Sequence, residues 1–389
     1  MIRKGVELSC NIGLFMSEGK MRENHVTNTL FSKASGIHVP ISGTFELSPL
    51  CNFSCKMCYV RKTPLEVQQH DRQQMTKEQW LSIARDAREQ GLLYLLLTGG
   101  EPFLWPDFWE LYEELSKMGF ILSINTNGSL IDENVVKRLL QNPPSCVNVT
   151  LYGASDETYH ALCGAKNAFL KVDRAIKLLK DASIMVKINC SMTPQNKHDI
   201  EKIVQYAKEK ELILSTNAYM FPPIRRDASS VGKNDRFTPA ECVHYNLQRY
   251  RMQHGEERYE EYLENVRKGS VYPLGLEENC VDSRDGRIRC RAGKASFWIT
   301  WDGFITPCGM MTEPKVDLTD KSFSEAWNVL TDMSEKIKLS GVCASCRNQK
   351  ICNACAAMAL AETGSTEGIP TYLCEMVEEL RKQAWRSEQ

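Results

Sequence analysis

Cys51-Asn52-Phe53-Ser54-Cys55-Lys56-Met57-Cys58-Tyr59 follows closely on the strand-like run Thr44-Phe45-Glu46-Leu47-Ser48. Three thiolates spaced CxxxCxxC can hold three corners of a cube-shaped iron–sulfur cluster. The fourth iron then lacks a protein ligand and is open to a substrate. Because the run before it reads as a strand, the cysteines fall in the loop just past a strand end.

Outward from that loop, strand-like and helix-like segments alternate. Residues 92–97, 120–124, 147–151, 184–188 and 212–216 are continuous apolar runs, as expected of strands covered on both faces. Helices are predicted over 77–90 with Thr76 as cap, 107–118 after Pro106, 133–140, 169–181 and 197–210. The repeat is that of a βα unit, and with the strand before Cys51 there are six. Six are too few for a closed eight-stranded barrel, so the fold class is α/β with an open partial (β/α)6 barrel. Thr98-Gly99-Gly100-Glu101, residues 125–129, Tyr152-Gly153 and Asn189-Cys190-Ser191 all follow strands, at the edge where parallel α/β folds carry ligands. The domain plan is a lead-in at 1–40, the barrel at 41–225, a linker with a charged bridging helix at 226–279 and a Cys-rich domain at 280–389.

Lys+Arg of 48 against Asp+Glu of 49 leaves a net charge of -1, which excludes a strongly basic nucleic-acid binder. No apolar run is long enough for a membrane span and no signal peptide is read, so the default location is cytoplasmic. The 16 cysteines are the outlier, and their short spacings favour metal over disulfides. Cys10, Cys146, Cys163, Cys190 and Cys242 read as small buried hydrophobes.

Cys51, Cys55, Cys58 and Tyr59, with Gly99-Gly100-Glu101-Pro102 after the second strand, resemble the radical S-adenosylmethionine (SAM) superfamily and its GGEP motif. The resemblance implies SAM chelated to the open iron and reductively cleaved to a 5′-deoxyadenosyl radical. It places Tyr59 against the adenine, gives Gly99 and Gly100 room for close approach to the ligand, and sets Glu101 on the ligand's amino group. It also puts Thr150 on the ribose and makes Arg225 a candidate partner of the carboxylate. One departure is Cys163, which stands before Gly164 where many relatives have an arginine.

The cysteines past residue 280 are similar to the SPASM extension of radical enzymes that act mostly on peptides, with a hairpin turning at Asp302-Gly303 and a helix over 322–329. Two residues separate Cys352 from Cys355 where three are usual. Carried over, Cys280, Cys290, Cys308 and Cys355 would hold a first auxiliary 4Fe-4S cluster, and Cys343, Cys346, Cys352 and Cys374 a second, three clusters in all with that of the first loop. The implied function is hydrogen abstraction from a residue of a ribosomally made peptide, giving a thioether or carbon–carbon crosslink or an oxidation. A flavodoxin or ferredoxin would serve as reductant, with a separate peptide-recognition protein as a further partner. The alternatives are a formylglycine-generating sulfatase-maturing enzyme and a non-enzymatic iron–sulfur or zinc-binding protein. In sulfatase-maturing relatives an acidic residue tends to follow the second cysteine of this array; here that place is Gly309. No residue is assigned as catalytic acid or base.

Overall fold

The computed structural model describes residues 21–269, 288, 290–352 and 354–386. Six parallel strands carry the βα units: β1 (Ser42–Glu46), β2 (Tyr94–Thr98), β3 (Ile121–Thr126), β4 (Cys146–Thr150), β5 (Val186–Ser191) and β6 (Ile213–Asn217). Most start one or two residues later than the apolar runs, whose first residues are taken up by the turns that enter the sheet. The sheet is open, with order β6-β5-β4-β3-β2-β1, and it does not stop at β1. β7 (Ser296–Ile299) pairs parallel to β1, and β8 (Phe304–Thr306) and β9 (Val316–Asp317) continue it antiparallel. The hairpin at Asp302-Gly303 therefore extends the barrel's own sheet, so that the Cys-rich region begins against the first strand of the barrel.

The covering helices follow their caps and apolar spacing. Thr76 forms a capping box with Gln79 and opens Lys77–Glu89, which buries Trp80, Ile83, Ala84 and Ala87 on one face. Trp80 packs on Phe45 of β1 with ring centroids 4.7 Å apart. Each such large apolar side chain taken out of water contributes about 1.5–3 kcal/mol. Ser322 likewise boxes with Glu325 to start Phe323–Glu335, longer than the sequence suggests.

Two expectations change. First, β1 and β2 are buried on both faces, but the strands β3 and β5 are covered on one face only. Along β3 and β5 buried and half-buried residues alternate strictly, with Leu122, Ile124, Val186 and Ile188 beneath the helices and Ser123, Asn125, Lys187 and Asn189 on the concave side. The apolar runs hid this because the inward positions at the starts of the runs, such as Ile121 and Met185, are themselves apolar. Second, the charged segment is two helices, Pro239–His254 and Glu256–Lys268, broken at Gly255 with φ +85°. With Thr371–Arg386 they form a small cluster over Val243, Leu247, Leu263, Val266 and Ala384, so this segment has a core as well as a solvated face. No helix of the described residues is long and apolar enough to cross a membrane.

Candidate active site

The cysteine loop is held by three neighbours at the carboxyl edge of the sheet. Gly100 N donates to Ser48 O at 2.7 Å and Glu101 N to Leu50 O at 2.9 Å, strapping the chain that enters the loop to the turn after β2. Ser54 N and Lys56 N donate to the last carbonyls of the helix Asp156–Cys163, those of Cys163 (2.8 Å) and Leu162 (3.1 Å). Asn127, after β3, donates its side-chain amide to Asn52 Oδ1 at 2.9 Å and to Cys51 Sγ at 3.7 Å.

The glycines of the turn have a structural role of their own. A Cβ on Gly99 would stand 2.4 Å from Ser48 O, and one on Gly100 2.3 Å from Leu50 O. What approaches them closely is the protein's own backbone on its way to Cys51. Glu101 is similarly engaged. Its carboxylate is fully buried, accepting from Thr126 Oγ1 (2.8 Å), Asn127 N (2.8 Å) and Phe103 N (3.3 Å). Burial pushes its pKa up to about 7 against the pull of those donors. Three donors from the chain hold this carboxylate as a tie between β2 and β3 and leave one of its four acceptor positions for a ligand donor.

Burial, an N–H bond from Phe53 and the nearby charges of Glu101, Cys55 and Cys58 leave the Cys51 thiol pushed up to about 12. Cys55 is raised by its hydrogen bond to the buried Cys163 and by burial, and Cys58 by burial. Backbone N–H groups of Phe53 and Arg61 point at Cys51 Sγ and Cys58 Sγ, each at 3.3 Å. Three neighbouring thiols, with N–H donors aimed at Cys51 and Cys58 and the cations of Arg61 and Arg226 near Cys55 and Cys58, are a donor set that fits an iron–sulfur cluster. Among the described residues no three Cys, His, Asp or Glu side chains converge on a single-ion site.

The later cysteines fall into two groups. Cys290, Cys308 and Cys355 lie within electrostatic reach of one another, and burial lifts Cys308 to about 11 and Cys355 to about 12. Cys343, Cys346, Cys352 and Cys374 form the other, with Cys352 at about 11 mainly through burial. The short Cys352–Cys355 spacing separates the two residues into different groups. Met310 N, Asn348 N and Ala354 N point at Cys308, Cys346 and Cys352 Sγ. Cys280 lies outside the described residues.

Arg225 sits where the loop meets the Cys-rich region. Its guanidinium lies 5.5 Å from the Tyr59 ring centroid and donates to Gly309 O at 2.8 Å. Both terminal nitrogens also bind Glu46, at 3.0 and 2.9 Å, and Trp298 Nε1 adds a third donor at 2.8 Å. The expected ligand carboxylate would have to compete with this buried fork–fork pair. Glu46 and Trp298 were not singled out in the sequence; a lone Glu at the end of an apolar strand was the only signal. Thr150 is half-buried on the concave face, its carbonyl facing the Tyr159 hydroxyl at 3.4 Å. Cys163, at the place of the missing arginine, is wholly buried against the loop rather than turned to open space.

Residues 45–207 match the family model described as the Radical SAM superfamily. The chain carries a radical SAM domain. Members of that family bind SAM and a 4Fe-4S cluster, and the relatives of this chain include peptide-modifying radical SAM enzymes beside enzymes named for other substrates. An AdoMet-dependent heme synthase of Methanosarcina barkeri is 24% identical over 82% of this chain and 92% of its own length. The sporulation killing factor maturation protein SkfB of Bacillus subtilis is 23% identical over 77% of this chain and 67% of its own. Among solved structures, native anSMEcpe with bound AdoMet and Cp18Cys peptide superposes with a TM-score of 0.64 at 20% identity, covering 89% of this chain and 97% of that one, a likeness of fold.

Proposed function

We propose that the chain is a radical SAM enzyme acting on a ribosomally made peptide, in the cytoplasm, to form a crosslink or an oxidation. Cys51, Cys55 and Cys58 would hold the SAM-binding cluster, with Tyr59, Gly99, Gly100, Glu101, Thr150 and Arg225 around the cofactor. Cys280, Cys290, Cys308 and Cys355 would hold one auxiliary cluster and Cys343, Cys346, Cys352 and Cys374 the other. The bound cluster and SAM together supply a carbon-centred radical that takes a hydrogen atom from substrate. The chain's own part is to cradle the cysteine loop, bury its sulfurs and leave the concave face open to substrate.

The observation that carries this reading is the Arg225 contact. One guanidinium touches the residue after Cys58 and the residue after Cys308, so the two thiol groups lie on either side of it. In this reading the second group would take up the surplus electron left on the substrate. A flavodoxin or ferredoxin would supply the first electron, and a separate recognition protein would deliver the peptide.

Formylglycine formation is disfavoured by Gly309. A Cβ there would stand 2.6 Å from the Trp298 ring, so the acidic residue that resemblance associates with that chemistry has no room. A second reading, tetrapyrrole chemistry, rests on the heme synthase spanning nearly its whole length. Anaerobic reconstitution followed by mass spectrometry of candidate precursor peptides decides between them. A mass change in a peptide supports the proposal; SAM cleavage stimulated only by a tetrapyrrole replaces it.

A further inference from the structure

The concave face of the sheet is polar from its middle upward. Inward positions run Ser123 and Asn125 on β3, Asn148 and Thr150 on β4, Lys187, Asn189 and Ser191 on β5, and Ser215 on β6, and all are half-buried. The face is settled by packing, since Val147, Val149, Val186 and Ile188 between them belong to the core under the helices. Asn125, Asn148 and Lys187 are register neighbours across β3, β4 and β5. Asn148 donates to Asn125 Oδ1 at 2.8 Å, which turns both amides into one fixed unit.

Lys187 is a charge without a counter-charge. Glu46, the carboxylate of β1 on the same face, is held by Arg225. Among the described residues Lys187 has neither an ion pair nor a side-chain hydrogen bond, and the amide nitrogens of Asn125 and Asn189 also lack protein acceptors. An ammonium flanked by free amide donors in a half-buried concavity is a recognition set for an anion. Lys187 lies two residues before Asn189, the register partner of Thr150, so it sits about 7 Å deeper along the strand.

We infer that Lys187, with the Asn125 and Asn189 amides, forms a subsite for a carboxylate of the substrate, one inward step below the cofactor's ribose. This rests on the radical SAM reading and narrows its substrate to molecules carrying a carboxylate near the attacked carbon. The same chemistry could come from an acidic side chain of a peptide or from a propionate of a tetrapyrrole.

The test uses anaerobically reconstituted holoenzyme with SAM and two matched probe pairs. One pair is C-terminally amidated peptide pools carrying a neutral dye, identical except for Glu or Gln. The other is hemin and its dimethyl ester. In each pair only the carboxylate changes. For at least one pair the acid form binds about tenfold to a hundredfold tighter, the range of a hydrogen bond to a charged group. The preference disappears in Lys187→Met, is retained in large part by Lys187→Arg, and is untouched by Lys177→Met on the exposed helix surface. Equal binding of acid and neutral forms in both pairs, or a preference that survives Lys187→Met, overturns the subsite. A preference shown by hemin alone keeps the subsite and overturns the peptide reading. Absence of SAM cleavage by the wild-type holoenzyme overturns the radical reading independently of either.

Discussion

Replacing Gly100 by Ala should empty the first cysteine loop while leaving the fold in place. The new Cβ would lie 2.3 Å from Leu50 O, 2.7 Å from Leu50 C and 2.8 Å from Pro49 O, all backbone atoms. Closest approaches of real Cβ atoms begin near 3.0 Å, so the strand-to-loop segment must retreat by roughly 0.7 Å or more. That retreat stretches the two straps at Gly100 N and Glu101 N, worth about 1 kcal/mol each, on top of about 1–3 kcal/mol of overpacking. Leu50 is the residue before Cys51, so the displacement is delivered directly to the first ligand position. Gly119→Ala is the matched control. It has φ +84° but nothing within 4 Å of its Cβ, and costs about 1–2 kcal/mol of backbone strain only. Iron content after anaerobic reconstitution, far-ultraviolet circular dichroism and 5′-deoxyadenosine release are compared. Gly100→Ala keeps its circular dichroism, loses about four irons and drops SAM cleavage by at least about a hundredfold, whereas Gly119→Ala keeps both. Wild-type iron and cleavage in Gly100→Ala would refute the argument that this turn shapes the loop.

The other predictions concern the charges and thiols around it. Arg225→Met leaves the wholly buried Glu46 unpaired and costs about 3–5 kcal/mol, and adding Glu46→Gln restores much of it; additive single and double losses in urea titrations would contradict the coupling. Glu101 has its folded pKa raised from 4.5 to about 7, so the stability tied to its neutral form is complete below pH 4.5 and is lost as pH rises through 7. Glu101→Gln should flatten that loss, about 3 kcal/mol in all; parallel urea-midpoint profiles for wild type and variant between pH 4.5 and 8 would exclude it. Cys355→Ser and Cys343→Ser should each lower iron content yet retain SAM cleavage, while Cys55→Ser abolishes cleavage; loss of cleavage in all three would show that the two later groups do not act separately from the first.

Local signals carried much of the fold. The caps at Thr76 and Ser322 and the CxxxCxxC spacing are short-range features, and each lies where local chemistry puts it. The grouping of seven later cysteines into two sets follows the resemblance rather than any local rule. The pairing of Arg225 with Glu46 spans 179 residues, and Trp298 reaches Glu46 across 252, so neither has a sequence pattern to betray it. Lys187 was hidden inside the run Ile184-Met185-Val186-Lys187-Ile188, of which Ile184, Val186 and Ile188 are buried under the helices while the lysine faces the cavity. The motif of Glu101 implies a ligand contact and says nothing of the carboxylate's protein partners. Its burial depends on Thr126 and Asn127 arriving from the next strand, which no short-range signal reports.

The most direct measurement is of 5′-deoxyadenosine formed from SAM by the reduced, anaerobically reconstituted protein. Wild type should release 5′-deoxyadenosine and methionine, and a Cys51→Ala, Cys55→Ala, Cys58→Ala variant should release neither. No cleavage by an iron-loaded wild type, or equal cleavage by the triple variant, would contradict the assignment of the loop at Cys51, Cys55 and Cys58 as the catalytic centre.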